Sequence, residues 1–189
     1  MLRPNLHLVL THYPVVNKNG DTITSAVTNL DLHDIARVGK TYGIGSFFVV
    51  TPLTDQKALV EKIVDHWTKG AGGVYNPKRR QALELIRICD TLADVADSLE
   101  KSYGVAPKFV ATTARKQKAT ISFETFKPFL NDGSPYVLIL GTAWGLTENV
   151  LKNADYVLAP IAGPGSYNHL PVRAAAAIML DRLMGDIKS

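Results

Sequence analysis

Residues 138–147 read LILGTAWGLT, and residues 159–170 read APIAGPGSYNHL. The first stretch joins an apolar strand to a turn with two glycines, and the second is a long loop of the kind that usually carries function. A third loop, ATTAR at residues 111–115, also follows a predicted strand. Because ligands of open α/β sheets bind at the carboxyl ends of the strands, we expect the three loops to form one pocket.

Apolar runs rich in β-branched residues alternate with helical patterns along the rest of the chain. This alternation indicates an α/β fold with a mostly parallel sheet and helices on both faces. The six strands are predicted at Leu6–Leu10, Ser46–Val50, Leu85–Cys89, Phe109–Ala111, Tyr136–Leu140 and Tyr156–Leu158.

Helical spacing and capping residues predict the helices between these strands. Asp31 is the expected cap of a first helix that reaches Tyr42, and Gly43 is expected to end it in a left-handed turn. The run Gly70–Gly73 is expected to form a loop. Further helices are predicted after Asp55, over Leu92–Tyr103 and over Val172–Met184, the last with Pro171 in its first turn and an apolar surface that is either buried or forms a dimer.

The composition of the 189 residues, with 46% hydrophobic and 20% charged, is typical of a globular protein and predicts a single domain over residues 1–189. The apolar stretches are too short to span a bilayer, which takes roughly 20 residues. The only cysteine, Cys89, cannot form an internal disulfide, so we expect a cytoplasmic protein with no membrane segment. A net charge of +4 permits a polyanionic partner.

Several chemical signatures are missing from the sequence. It has no GxxxxGK[ST], GxGxxG, GxSxG or HExxH motif. The histidines do not pair with one another or with cysteine at ligand spacing, so no metal is predicted. Cys89 lies in an apolar strand and is expected to be a small core residue.

The two opening stretches resemble the second and third motifs of the SPOUT superfamily of RNA methyltransferases, in its SpoU/TrmH branch. These motifs are an LGxExxGL loop and an IPMxG…SLNVSxA loop that leads into an alanine-rich helix. The segment DLHDIAR at residues 31–37, followed by Tyr42-Gly43-Ile44, resembles the first motif of that branch, NxxxIxR with an aromatic-Gly-Val turn. The resemblance covers most of the chain in order.

This resemblance implies a C-terminal trefoil knot and a methyl donor, S-adenosylmethionine (SAM), bound in knotted loops at a homodimer interface. Arg37, Asp31 and Asn168 take the catalytic positions. The cofactor positions are Thr112, Thr113, Leu140, Gly141, Thr142, Trp144, Gly145, Leu146, Ile161, Gly163, Gly165, Tyr167, Asn168, His169 and Leu170. Of these, we expect Leu146, Ile161 and Leu170 to enclose the adenine.

Residues expected to contact RNA lie near two of these motifs. His12 and Tyr13 follow the first strand and are expected close to Arg37, while Arg115 and Lys116 follow the first pocket loop. A further basic cluster at 78–80 is explained equally well as solvated surface. The predicted function is methylation of structured RNA, either tRNA or rRNA.

The sequence also departs from the family motifs. Asp31 replaces the asparagine of the first motif, the glutamate of the second motif is missing, and Leu170-Pro171 is inserted before the last helix. These departures leave open a non-catalytic SPOUT-like module that binds RNA or a nucleotide. The glycine loops alone also allow a different α/β enzyme that binds a nucleotide, such as a flavodoxin-like protein. On spacing alone, Gly141 and Gly145 are equally well explained as turn residues, and Arg37 as a surface residue.

Overall fold

A computed structural model describes residues 5–185 of the chain. Its central sheet has six strands, and every pair of neighbouring strands in it is parallel. The strands in chain order are β1 (Leu6–Thr11), β2 (Val15–Val16), β3 (Thr22–Ile23), β4 (Phe47–Val50), β5 (Ile86–Cys89), β6 (Lys108–Ala111), β7 (Tyr136–Gly141) and β8 (Tyr156–Val157). The order across the sheet is β5-β4-β1-β7-β6-β8, while β2 and β3 form a separate hairpin. All six predicted strands are confirmed.

Helices cover both faces of the sheet, as predicted. They are α1 (Asn29–Tyr42), α2 (Thr54–Thr68), α3 (Ala71–Tyr75), α4 (Pro77–Leu83), α5 (Leu92–Tyr103), α6 (Phe123–Phe126), α7 (Glu148–Asn153) and α8 (Val172–Met184), with a 3₁₀ turn at Lys127–Asn131. One core lies between the sheet and α1, α2, α4, α6 and α8. A second, smaller core lies under α5 and α7.

The start of α1 differs from its prediction. Thr28 and not Asp31 is the N-cap, because the Thr28 hydroxyl accepts a hydrogen bond from the backbone N–H of Asp31. Asp31 lies in the first turn of the helix, where the positive end of the helix dipole stabilises its carboxylate. Gly43 ends the helix with φ 75°, which confirms the predicted left-handed turn.

The run Gly70–Gly73 is not a loop throughout, because α3 begins within it. Gly72 and Gly73 are buried against the end of α2, and a Cβ on Gly73 would lie 2.4 Å from the carbonyl oxygen of Trp67. The glycines therefore allow α3 to pack closely on α2. The sequence pattern of helix-breaking residues did not reveal this packing.

The carboxyl ends of β1, β7, β6 and β8 meet at one edge of the sheet. Thr11 pairs with Gly141 across β1 and β7, and Ala111 pairs with both Ile139 and Val157. The loops after β6, β7 and β8 consequently start side by side. Helices α1 and α8 run in the same direction along one face, since Asp31 meets Arg173 at their starts and Tyr42 meets Asp181 near their ends.

We also predict from the sequence and its family resemblance that the chain has no membrane segment and that it contains a trefoil knot. None of the helices in residues 5–185 is long and apolar enough to cross a membrane. The trefoil knot stays a prediction from the family resemblance.

Candidate active site

The loop after β7 turns sharply and packs against its own strand. A Cβ on Gly141 would lie 2.8 Å from the backbone nitrogen of Leu146, so no side chain fits at this position. Ala143 and Gly145 take positive φ values of 51° and 103°, which close the turn. The backbone of Val16 in β2 exchanges hydrogen bonds with the loop, donating to Gly145 and accepting from Trp144. The loop is therefore held by the hairpin that the sequence did not predict.

The loop after β6 joins this second loop. The buried Thr112 hydroxyl donates to the Ile139 carbonyl at 2.8 Å, which ties the start of the loop to β7. The hydroxyl of Thr113 accepts a hydrogen bond from the Arg115 backbone at 3.0 Å. The Arg115 guanidinium then donates to the Trp144 carbonyl at 2.8 Å, which links the first loop to the second.

The long loop after β8 contacts the first loop through one side chain. The Asn168 amide donates to the Ala114 carbonyl at 3.1 Å. Most of this loop is exposed, and large apolar side chains are exposed around it: Trp144 at 58%, Tyr167 at 80% and Leu170 at 42%. Direct hydrogen bonds thus bring the three loops together, while the single pocket expected of them stays a prediction.

The other predicted cofactor residues occupy different environments. Leu140 and Leu146 are buried on opposite faces of the sheet, and the half-buried Ile161 packs against the same core as Leu140. Leu146 and Ile161 therefore pack against different cores, and their contact with an adenine stays a prediction. Gly163 and Gly165 have open space where a side chain would stand, and the ring of His169 lies 6.4 Å from that of Tyr167.

Thr142 belongs to a partly buried chain of hydrogen bonds at the end of β1. The Thr142 hydroxyl donates to the Thr11 carbonyl at 2.9 Å and also contacts the Ser25 hydroxyl, which is bonded to Nδ1 of His12 at 3.0 Å. His12 is fully buried, and burial lowers its pKa from 6.5 to about 4. Its imidazole therefore does not lie on a surface that RNA can reach, which corrects the predicted RNA contact. His12 supports the second loop instead.

Asp31 lies at the junction of α1 and α8. It is only 7% exposed, accepts a hydrogen bond from the Thr28 hydroxyl at 2.6 Å and contacts the Arg173 guanidinium at 3.4 Å. Arg173 also lies 3.6 Å from Asp34. Arg173 was not among the predicted site residues, although its position one turn after the third motif could have indicated a role near the site. In this chain the ion pair of Asp31 and Arg173 therefore links α1 to α8.

Arg37 lies on the exposed side of α1 in a loose ion pair with Asp34 at 4.0 Å. It lines a cavity of about 540 Å³ between α1, α2 and α4. Tyr13 is 39% exposed and lines a different cavity, of about 480 Å³, between α5 and α7. The structure thus assigns Arg37 and Tyr13 to separate cavities, while Lys116 is exposed beyond the first loop.

Two other groups bear on the chemistry of the chain. Within residues 5–185, no group of three or more histidine, cysteine and acidic side chains is arranged to hold a metal ion. Cys89 is half-buried, and burial raises the pKa of its thiol to about 11. The thiol is therefore protonated at neutral pH, as expected of a packing residue.

The three loops fit a nucleoside ligand that binds through backbone groups. The absence of a side chain at Gly141 lets the backbone of the second loop pack against the carboxyl end of β7, and the second and third loops expose the apolar side chains of Trp144, Tyr167 and Leu170. Backbone N–H and C=O groups can pair with an adenine edge without a charged side chain. When SAM is bound in such a site, it supplies an electrophilic methyl group on its sulfonium.

Comparisons with known sequences identify the family and the relatives of the chain. A family model described as SAM-dependent RNA methyltransferase matches residues 5–185. The chain is 42% identical over 182 residues to the tRNA (guanine-N(1)-)-methyltransferase of Oleidesulfovibrio alaskensis, a match that covers 96% of this chain and 42% of that protein. It is 34% identical over 184 residues to an uncharacterized protein of Aquifex aeolicus, with 97% and 90% covered. The chain thus spans less than half the length of the first of these relatives.

Solved structures show the same fold. The TrmH/SpoU tRNA modifying enzyme of A. aeolicus aligns with a TM-score of 0.57 and 16% identity, over 96% of this chain and 74% of that one. The SpoU methyltransferase AviRb of Streptomyces viridochromogenes, solved in complex with AdoMet, aligns with a TM-score of 0.56 and 18% identity, over 97% and 58%. The SpoU/TrmH fold is therefore confirmed over the flavodoxin-like alternative. From its sequence match and its fold together, the chain belongs to the family of SAM-dependent RNA methyltransferases.

Proposed function

We propose that this chain transfers the methyl group of SAM to a nucleotide of a structured RNA, with tRNA the first candidate. The observation that supports this most directly is the meeting of three loops at the carboxyl ends of β6, β7 and β8 around a glycine that cannot carry a side chain. The name of the O. alaskensis relative specifies a tRNA methyltransferase, which favours tRNA over rRNA as the substrate.

Each of the three loops has a different role in the proposed site. The backbone around Gly141 and Gly145 binds the adenosine part of SAM, and the hairpin of β2 and β3 keeps that backbone in place. Thr112 and Thr113 close the site from the first loop. Asn168 holds the long loop over it through the Ala114 carbonyl. Alignment of the methyl group with its acceptor is the main source of rate acceleration, worth about 7–11 kcal/mol when the orientation is ideal.

Arg37 is the proposed catalytic arginine. Its guanidinium is mostly exposed and bound only loosely to Asp34, so it is available to hold an RNA phosphate or to assist loss of a proton from the acceptor. Asp31 is proposed to act indirectly, because its carboxylate is already paired with Arg173. In that role it positions α1 relative to α8.

A calorimetric titration with SAM tests the cofactor site. We expect the unmodified chain to bind SAM with a Kd in the micromolar range, Gly141→Val to abolish binding and Asn168→Ala to weaken it. Incorporation of labelled methyl groups into bulk tRNA and rRNA then tests the reaction. Absence of binding at millimolar SAM contradicts the proposed function. Binding of SAM and RNA without methyl transfer favours the non-catalytic binding module instead.

We also propose that the chain acts as a homodimer in the cytoplasm. Leu30 on α1 is 61% exposed, and Ala174, Ala177 and Ile178 on the neighbouring α8 are only half-buried, which leaves apolar surface for a second copy. Such a dimer would allow the exposed Arg37 to serve the loops of either subunit. Sedimentation equilibrium measures the mass directly, and a monomer at micromolar concentration contradicts this part of the proposal. We further propose that residues 1–189 form a single domain in each subunit of this dimer.

A further inference from the structure

The cavity between α1, α2 and α4, here named the basic groove, collects cationic side chains around a tryptophan. Its volume is about 540 Å³, and its charged and aromatic lining consists of His33, Asp34, Arg37, Lys62, His66, Trp67 and Arg79. The groove is lined by three permanent cations and one carboxylate. That carboxylate, Asp34, is already shared between Arg37 and Arg173.

Two of the three cations of the groove have no anionic partner in the described part of the chain. Within residues 5–185, neither Lys62 nor Arg79 lies within 4.0 Å of a carboxylate. Nε of Arg79 and Nδ1 of His33 are both buried without a hydrogen-bond partner. The rest of the structure therefore does not satisfy the polar atoms of this groove.

Trp67 fixes the geometry of the groove. The guanidinium carbon of Arg79 lies 4.7 Å from the centre of its ring, while the rings of His33 and His66 meet it edge-on at 5.4 and 5.1 Å. A guanidinium that is held on an aromatic face loses little further freedom when it binds an anion. The groove is thus preorganised for a negatively charged ligand.

We propose that the basic groove binds a phosphodiester of the substrate RNA, next to the proposed catalytic Arg37. This inference rests on the proposed function for its choice of RNA as the anion. Cations contributed by three helices suit a backbone that crosses the groove. Phosphate contacts of this kind fix the register of the RNA without reading its sequence.

Two pairs of variants test the proposal with matched loss of charge. Arg79→Gln removes a cation from the groove, whereas Arg80→Gln removes its neighbour, which is paired with Glu84 at 2.9 Å. On α2, Lys62→Gln changes the groove and Lys69→Gln changes an exposed lysine paired with Asp65 at 2.8 Å. Lys62 is exposed, so its replacement keeps the test valid if Arg79→Gln fails to fold.

Affinity for bulk tRNA is measured without SAM at several salt concentrations. We expect each groove variant to weaken binding by at least about fivefold and to reduce the dependence of log K on log salt by about one. Each control variant should change affinity by less than about twofold. Inorganic phosphate at millimolar concentration should not displace the RNA, which separates a phosphodiester site from a site for the free ion.

Two outcomes overturn the proposal. In one, the groove variants and their controls lose affinity equally, which indicates general attraction to a basic surface. In the other, no variant loses affinity for bulk tRNA. In either case SAM binding and methyl incorporation by the unmodified chain would still support the proposed function, so the two failures are distinguishable.

Discussion

Gly141 is the residue on which the backbone geometry of the second loop depends. Because a Cβ there would lie 2.8 Å from the Leu146 nitrogen, Gly141→Ala forces the loop to move. We expect the free energy of unfolding to fall by about 2 kcal/mol, the usual cost of overpacking. Gly163→Ala is the control, since its added methyl group meets open space. Urea denaturation compares the two variants, and equal stabilities would contradict the close packing at Gly141.

Two buried histidines make stability depend on pH. Burial lowers the pKa of His7 and of His12 from 6.5 to about 4. The unfolded chain therefore binds more protons than the folded chain between these values, so stability falls as the pH decreases from 6.5 towards 4. Each histidine contributes about 3 kcal/mol to this loss, from the free energy equivalent of its pKa shift.

His7→Phe isolates one of these contributions. The ring of His7 lies between Phe48 and Tyr103, so phenylalanine can occupy the same place without titrating. Loss of the bond to Asn5 lowers stability by an amount that does not depend on pH. We expect urea denaturation between pH 6.5 and 4 to show a shallower decline for the variant than for the unmodified chain. Parallel declines would contradict a neutral buried His7.

The junction of α1 and α8 is the contact that holds α1, the helix of the proposed catalytic Arg37, in place. The pair of Asp31 and Arg173 is partly buried, with 11% and 38% of the side chains exposed, and Arg173 also reaches Asp34. We expect a double-mutant cycle with Asp31→Asn and Arg173→Met to give a coupling energy of about 1 kcal/mol.

A matched cycle on α2 provides the control for this coupling. Asp65 and Lys69 form an ion pair with 53% and 76% of their side chains exposed. Such a pair within one helix contributes about 0.5 kcal/mol or less. Thermal unfolding of the variants measures both cycles. Equal coupling energies would show that the contact between α1 and α8 adds nothing beyond a surface pair, and would weaken the positioning role of Asp31.

Elements were predictable from the sequence where local pattern and burial agree. The strands of the sheet are short apolar runs, of which β1 and β4 are buried throughout and β7 is buried except at its last residue. Helix α5 matches its predicted bounds because it has helical spacing, the capping residue Thr91 and the left-handed Gly104. The β2–β3 hairpin, α3, α4, α6 and α7 were missed because elements of two to seven residues are decided by their tertiary contacts. In α3 the buried glycines pack against α2, whereas glycine alone predicted a loop.

At the scale of the whole molecule, some features of the candidate site could be predicted from the sequence and others could not. The meeting of the three loops follows from parallel strands and was predictable, because such strands end at a common edge. The burial of His12, the pairing of Asp31 with Arg173 and the basic groove were not, since each depends on residues distant in sequence. One departure from the family motifs also has a physical account, because Asp31 in place of asparagine supplies a carboxylate that pairs with Arg173.

A ligand that binds only the folded chain must stabilise the whole molecule. At a SAM concentration 100 times the Kd, binding adds about 2.7 kcal/mol to the free energy of unfolding. For a chain of this size, this corresponds to a rise in Tm of about 5–11 °C. Differential scanning calorimetry with increasing SAM measures this rise.

Two variants locate the effect within the molecule. Gly141→Ala should lose most of the rise in Tm because the loop backbone moves, whereas Arg80→Gln, in α4, should keep it in full. A rise that survives in both variants would mean that SAM binds elsewhere than the three loops. No rise with the unmodified chain at millimolar SAM would mean that the fold of the family is present here without its methyl donor, and the binding module would then be the better account of the chain.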